Sequence, residues 1–243
     1  MVHIWAADGR TPLNVFSRAM EENAKYFPSG ILWITQVSDR ACAQTITAAM
    51  RSEHVDAVCL DKRDDWDWFR EHEVTLRIAR GILFGVQVKA WCICHDDMAL
   101  PAASGFASYL EEWLASDSDV LTCQAIEFVN SFTTWNPLIS TKDSWHAYVV
   151  KEKEVIDWKA GNGKYHGYFI PRDAKMWQCP WPCRHYKAVN LKAMREYNFR
   201  RNYRNPLSRI AYLTDDKIQN GLLEFDPEIT WEDIRTNRFH RTS

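Results

Sequence analysis

Short apolar runs alternate with amphipathic stretches along the first half of the chain. Val2–Ala7, Ile31–Val37 and Val55–Leu60 are apolar runs of strand length. Helical spacing of the apolar residues over Pro12–Tyr26 and Arg40–Arg51 predicts two amphipathic helices between them, the first with a proline in its opening turn. This alternation of strand and helix predicts an α/β fold.

The same alternation continues toward residue 130. A long helix from Trp66 to about Gly85, a strand Val88–Cys94, a helix Gly105–Ala115 and a strand Asp119–Val129 follow in order. Single helices between strands imply right-handed crossovers, which place successive strands parallel. We therefore expect an α/β domain with a mostly parallel central sheet and helices on both faces, followed by a C-terminal extension.

Acidic residues stand at or just after the ends of the predicted strands, where parallel α/β sheets bind their ligands. The carboxylates that fall there are Asp8, Asp61, Asp65, Asp96 and Asp97. Asp96 and Asp97 follow the apolar run of VKAWCICHDDMALP, and adjacent carboxylates supply two hard oxygen ligands for a divalent cation. The same dipeptide is common as a plain turn and helix cap, so the prediction depends on its position behind the fourth strand.

No glycine-rich phosphate motif accompanies these strands. The sequence contains neither G-x-G-x-x-G after the first strand nor G-x-x-x-x-G-K-[ST] anywhere. A nucleotide site without such a loop needs another way to hold phosphates. A cation on Asp96 and Asp97 can bridge diphosphate oxygens and neutralise the charge of a departing nucleotide.

Composition and charge narrow the class of protein. The chain has 243 residues, 46% of them hydrophobic and 26% charged, which suits one large folded domain and excludes disorder. No apolar run approaches the roughly 18 residues that span a bilayer, and the first residues lack the features of a signal peptide. Seven cysteines, several inside predicted strands, do not form the pattern of a secreted disulfide framework. We expect a soluble, cytoplasmic protein with reduced thiols.

The order of elements up to about Asn130, with its acidic strand end, resembles a known family. It is similar to the nucleotide-sugar-binding half of glycosyltransferases with the A-type fold, and most similar to the large family typified by bacterial polysaccharide synthases. In that family a D-x-D motif at the strand end binds a divalent metal and the sugar diphosphate; the matching residues here are His95, Asp96 and Asp97. The chain has H-D-D in place of D-x-D and lacks the Pro-x-Tyr-Asn common after the first strand.

The resemblance implies a nucleoside diphosphate sugar as donor and Mn²⁺ or Mg²⁺ as cofactor. The residues that match the donor-binding positions of the family are Asp8 and Arg10 after the first strand, Asp61 or Asp65 beside the nucleobase, and Arg77 or Arg80 toward the diphosphate. His185 matches the late histidine that returns to the metal in several A-type glycosyltransferases, here beside Asp97. The alternative for His185 is an ordinary hydrogen-bonded histidine.

Residues 131–243 are expected to form an acceptor-side half beside the donor-binding half of 1–130. Gly161-Asn162-Gly163 predicts a turn between the strands Glu154–Lys159 and Tyr165–Pro171, either as a flap over the site or as an ordinary surface hairpin. The segment WQCPWPCRH of Trp177–His185 leaves a structural zinc open, although the paired C-x-x-C spacing is missing. The tail from Asp215 to Ser243 is expected to form one short helix and an extension.

Basic and aromatic residues interleave from Arg184 to Arg209. Such a run suits a phosphate-rich polymer, through charge to its backbone and stacking on its bases. The same spacing also fits a helix with exposed arginines and buried aromatics. The candidate nucleic-acid contacts are Arg184, Lys187, Arg200, Arg201 and Arg204.

The residues and the resemblance together favour a metal-dependent glycosyltransferase that uses Asp157 or Asp215 as the base for an acceptor hydroxyl. The basic run makes a hydroxymethylated base in DNA one candidate acceptor, as in viral enzymes that modify genomes in the host cytoplasm. A polysaccharide or a protein is the alternative acceptor. A nucleotidyltransferase that uses the same aspartates, and a non-catalytic nucleic-acid-binding protein on an α/β scaffold, remain open.

Overall fold

The computed structural model of the chain describes residues 2–7, 11–37, 42–61, 76–137, 145–153, 173–192 and 215–236. Its strands are β1 Val2–Ala7, β2 Ile31–Val37, β3 Val55–Asp61, β4 Ala90–Ile93, β5 Met98–Ala99, β6 Val120–Val129, β7 Thr134–Trp135, β8 Trp145–Lys151, β9 Met176–Gln178, β10 Cys183–Ala188 and β11 Leu223–Glu224. Its helices are α1 Leu13–Ala24, α2 Ala43–Arg51, α3 over residues 76–82, α4 Phe106–Ala115, α5 Asp215–Asn220 and α6 Trp231–Arg235.

The strands form one sheet in the order β11-β7-β6-β8-β4-β1-β2-β3, with β10 paired to β5 and β6, and β9 paired to β6. The part built from β3, β2, β1 and β4 is parallel, as the alternating pattern predicts. Beyond β4 the sheet is mixed, because β8 lies between β4 and β6 and runs antiparallel to both. Five of the ten described pairings are parallel, so the prediction of a mostly parallel sheet is wrong for the second part.

Helices cover both faces of the parallel part. Successive residues of β2 point to opposite faces, as the pleat of a strand requires. Trp33 packs against Phe16 of α1, with ring centroids 4.8 Å apart, whereas Ile34 belongs to a separate buried cluster with Leu76 of α3. The expectation of helices on both faces is therefore met where the sheet is parallel. Because both faces of β2 are covered, its sequence is a continuous apolar run.

The predicted bounds of the first elements lie within a few residues of those observed. Strands from both sides of residue 130 pair with one another, so that position does not separate two sheets. The described part of the C-terminal tail, residues 215–236, contains two short helices, α5 and α6, where one was expected. Within the described ranges no helix is both long and apolar enough to cross a bilayer.

Candidate functional site

The order of the strands identifies the switch point of the sheet. β1 lies between β2 and β4, so the chain changes direction across the sheet at the boundary of β1 and β4. Ligands of such sheets bind outside the carboxyl ends of the strands at this switch point. The carboxyl end of β4 leads into Asp96 and Asp97, and Thr11 follows the end of β1 in front of α1. The hydroxyl of Thr11 donates to the Asp96 carboxylate, so the two strand ends meet at this point.

The backbone that carries the two aspartates is held by α1. The fully buried Asn23 donates from Nδ2 to the carbonyl oxygen of Met98 at 3.0 Å and accepts from the N–H of Leu100 at 2.9 Å. Tyr26 donates to the carbonyl oxygen of Pro101 at 2.7 Å. These bonds satisfy buried backbone groups on β5 and after it, and they fix the path of the chain directly after Asp97.

β10 holds the same backbone from the other side. It runs antiparallel to β5, with His185 opposite Met98, and the N–H of Tyr186 donates to the carbonyl oxygen of Asp97 at 2.7 Å. A segment far along the sequence thus becomes the neighbour of the aspartate pair. This strand was not predicted, since the sequence pattern around it shows charged and aromatic residues without a strand period.

His185 lies between two carboxylates. Its Nε2 is 3.3 Å from Oδ1 of Asp97, and its Nδ1 is 2.6 Å from Oε1 of Glu127 on β6. Burial lowers the pKa of His185, but the charges of Glu127 and Asp97 outweigh burial and raise that pKa to about 10. The structure places His185 beside Asp97, whereas Asp96 contacts Thr11.

An ion network around the buried carboxylate of Glu22 lies on the α1 side of β10. Arg184 and Arg18 both pair with the carboxylate of Glu22, and the Tyr186 hydroxyl donates to the same carboxylate at 2.8 Å. Arg184 also donates to the carbonyl oxygen of Leu100 at 2.9 Å and is 7% exposed. Because its charge neutralises a buried carboxylate, this position does not favour the predicted contact of Arg184 with a nucleic-acid phosphate.

Arg80 also differs from the expectation. Its guanidinium pairs with Glu152 at 2.7 Å and donates to the carbonyl oxygen of Lys153 at 2.7 Å. The N–H of Glu152 bonds to Lys89, the residue before β4, so Arg80 lies at the opposite end of β4 from the aspartates. This position does not favour the predicted contact of Arg80 with a diphosphate. Arg77, one turn earlier on α3, is exposed.

The remaining predicted residues divide into two groups. Asp61 ends β3 at the carboxyl edge, Asp215 begins α5 and Lys187 lies in β10. Asp61 is three strand spacings from β4, about 14 Å along the edge of the sheet. The other predicted site residues lie outside the described ranges: Asp8, Arg10, Asp65, Asp157, Arg200, Arg201 and Arg204. The predicted hairpin around Gly161-Asn162-Gly163 lies outside them as well.

Within the described residues, metal-ligating side chains do not form a closed cage. In the described part of the chain, no three residues among its histidines, cysteines, aspartates and glutamates are arranged to hold a metal ion. The cysteines are free thiols, and burial raises the pKa of Cys179 and Cys183. The zinc alternative from WQCPWPCRH therefore has no support among these residues.

Glu127 was not predicted from the sequence. A signal was present, because Glu127 is the one ionisable carboxylate in the apolar strand VLTCQAIEFV. A carboxylate in such a strand is costly to bury unless a partner compensates it. That partner, His185, lies on a strand that the sequence did not reveal, so the pair could not be recognised in advance.

Comparison with known proteins finds weak structural similarity and no similarity in sequence. No protein-family profile matches the chain, and no curated protein matches it. A mannosyltransferase from Pyrobaculum calidifontis in complex with GDP-Man and Mn²⁺ is 12% identical, with a TM-score of 0.38 over 62% of this chain and 44% of that chain. A protein from Desulfovibrio desulfuricans described as a nucleotide-diphospho-sugar transferase is 10% identical, with a TM-score of 0.40 over 90% of this chain and 97% of that chain.

A third similar structure has a different kind of description. A Bacillus anthracis protein described as a glucose-1-phosphate thymidylyltransferase, in complex with sucrose, is 9% identical, with a TM-score of 0.39 over 62% of this chain and 70% of that chain. Identities and scores of this size assign neither family nor activity. The function must therefore be argued from the residues of the site.

Proposed function

We propose that this protein is a metal-dependent glycosyltransferase that moves a sugar from a nucleoside diphosphate sugar to an acceptor hydroxyl. One observation carries the proposal. At the switch point of the sheet, the acidic pair Asp96 and Asp97 follows β4, and His185 lies beside Asp97 on a separate strand. Two carboxylates and an imidazole at this edge are the groups expected where a cation and a nucleotide bind together.

The donor set fits a divalent cation held partly by the substrate. Carboxylate and imidazole groups are ligands that Mn²⁺ accepts, and Asp97 and His185 are the two that lie together. Mg²⁺ and related cations at nucleotide sites are bound through one or two carboxylates plus water and substrate phosphates. A closed three-residue cage is therefore not required. When bound, the cation would neutralise the charge that develops on the departing nucleoside diphosphate.

We propose that the donor lies along the carboxyl edge of the sheet. From β4 to β3 this edge spans about 14 Å, with the aspartate pair at one end and Asp61 at the other. We place the diphosphate at Asp96 and Asp97 and the nucleobase toward Asp61, with Asp8, Arg10 and Asp65 as further candidate contacts after the strand ends. Arg77 is retained as a candidate for the phosphates in place of Arg80.

The acceptor is proposed on the sequence alone. A hydroxymethylated base in DNA is the first candidate, with Lys187, Arg200, Arg201 and Arg204 as its phosphate contacts, and a polysaccharide or protein is the second. Asp157 and Asp215 are the candidate bases for the acceptor hydroxyl. Binding to duplex DNA over a salt series tests the first candidate, because each phosphate contact should add about one logarithmic unit of salt slope. An affinity that does not change with salt excludes DNA.

Calorimetry with a panel of nucleotide sugars tests the donor. At least one of them should bind in the presence of Mn²⁺ and bind much more weakly after chelation, because the cation bridges the diphosphate to the protein. Nucleoside triphosphates belong in the same panel, since a nucleotidyltransferase would prefer them. Equal binding with and without Mn²⁺, or no binding by any nucleotide sugar, contradicts the proposal.

A further inference from the structure

Glu127 is the residue of this site to which no role has been given. It lies in β6, and the parallel pairing of β6 with β10 places it directly opposite His185. Its side chain is only 16% exposed, and that of His185 is 8% exposed. The contact between them is therefore shielded from water and is set by the register of two strands rather than by a loop.

The geometry separates the two carboxylates around the imidazole. Nδ1 of His185 faces Glu127 at 2.6 Å, and Nε2 faces Asp97 at 3.3 Å. These nitrogens point in different directions from the ring, so Glu127 and Asp97 lie on opposite sides of it. A cation shared by Asp97 and His185 can be reached only through Nε2. Glu127 is thus excluded as a ligand of that cation and is left to hold the other nitrogen.

We infer that Glu127 is a positioning residue, which accepts a hydrogen bond from Nδ1–H of His185 and thereby aims Nε2 at the cation beside Asp97. A histidine that ligates a metal commonly donates its other ring N–H to a carboxylate, which fixes the tautomer and the orientation of the ring. The inference rests on the proposed function, because it assumes a cation at Asp97. The carboxylate of Glu127 thus sets the affinity for this cation from outside the coordination shell.

The Glu127→Gln substitution tests this role in the full chain. The amide keeps the size of the side chain and one acceptor oxygen but removes the charge. The affinity for Mn²⁺, measured by calorimetry, should fall about ten- to a hundredfold, as for other carboxylates behind a metal-bound histidine. Glu127→Asp keeps the charge but has a shorter side chain, so its Mn²⁺ affinity should lie between those of wild type and Glu127→Gln. It also serves as the second variant if Glu127→Gln does not fold.

The matched control is Glu152→Gln. Glu152 is also a partly buried glutamate, 26% exposed at its side chain, that pairs with a basic side chain, Arg80. It lies at the opposite end of β4 from Asp97, so its substitution should leave the Mn²⁺ affinity unchanged even if it lowers stability. If the role of Glu127 were purely structural, Glu127→Gln would likewise lower stability and leave the Mn²⁺ affinity unchanged.

Two further measurements separate positioning from general destabilisation. In a His185→Gln background, Glu127→Gln should weaken Mn²⁺ binding no further, because the residue acts through His185. In the protein loaded with diamagnetic Zn²⁺, the ¹⁵N signals of His185 should show Nε2 bound to the metal and the proton on Nδ1 in the wild type, and a fraction of His185 no longer bound to the metal in Glu127→Gln. An equal effect of Glu127→Gln in both backgrounds would overturn the inference.

The outcomes distinguish this inference from the proposed function. If wild-type protein binds no Mn²⁺, either alone or together with a nucleotide sugar, the metal-dependent function fails and the role of Glu127 fails with it. If wild type binds Mn²⁺ and both Glu127 variants bind it equally well, only the role of Glu127 fails. Loss of affinity in Glu127→Gln but not in Glu152→Gln supports both.

Discussion

Replacing Asn23 by alanine should destabilise the protein far more than its position on a surface helix suggests. Asn23 lies on α1, yet its side chain is fully buried and bonds to the carbonyl oxygen of Met98 and the N–H of Leu100, two residues that are themselves fully buried. Asn23→Ala leaves both backbone groups without this partner. Each buried group without a partner costs about 1 to 3 kcal/mol, so the loss should be about 2 kcal/mol if water fills the space and about 6 kcal/mol if it stays dry.

Urea unfolding measures this loss. With a slope of about 3 kcal/mol per molar for a chain of this size, the midpoint should fall by roughly 0.7 to 2 M at an unchanged slope. Asn14→Ala is the matched control, since Asn14 is an exposed residue of the same helix and its replacement should change stability by less than about 0.5 kcal/mol. A loss below about 1 kcal/mol for Asn23→Ala would refute the view that α1 fixes the chain after Asp97.

Three further predictions concern the charged groups of the site. Asp97→Ala should abolish Mn²⁺ binding and turnover while the circular dichroism spectrum stays unchanged. Asp96→Ala should be nearly as damaging, because each substitution removes a carboxylate that compensates the charge of the cation. Calorimetry measures the Mn²⁺ binding, and a turnover assay measures the activity. Arg184→Ala should cost about 3 to 5 kcal/mol in urea unfolding, because it leaves Glu22 buried with less compensating charge, and an unchanged midpoint would argue against that pairing. The pKa of His185 is raised from 6.5 to about 10, so the stabilisation that its charge gives is complete below about pH 6.5 and is lost as pH rises through about 10. Metal-free wild type should lose stability over this range, and His185→Gln should lose less. Urea unfolding at several pH values measures both losses.

The first four strands and the helices α1 and α2 could be predicted because their signals are local. Trp33 and Ile34 face opposite sides of β2 and both are buried, so the strand appears as an unbroken apolar run. The aspartate pair behind β4 was also visible, since acidic residues that follow an apolar strand mark the carboxyl edge of a sheet. Periodicity and position were sufficient here.

The second half could not be predicted because its polar residues are compensated from far along the chain. In β10, Arg184 and His185 are both buried. The local sequence pattern nevertheless resembles that of a basic segment exposed to solvent. Their partners are Glu22 on α1, Asp97 after β4 and Glu127 on β6. Only the fold brings these groups together. The position of β8 also depends on contacts distant in sequence, because β8 lies between β4 and β6 and runs antiparallel to both.

Release of nucleoside diphosphate from a panel of nucleotide sugars, followed in the presence of Mn²⁺ for wild type and Asp97→Ala, tests the central claim most directly. The account predicts that wild type releases the diphosphate from at least one donor and that the release stops on chelation. It also predicts that folded Asp97→Ala releases none. Release that is undiminished in Asp97→Ala or in the presence of chelator would contradict it, as would formation of pyrophosphate from nucleoside triphosphates as the only reaction observed.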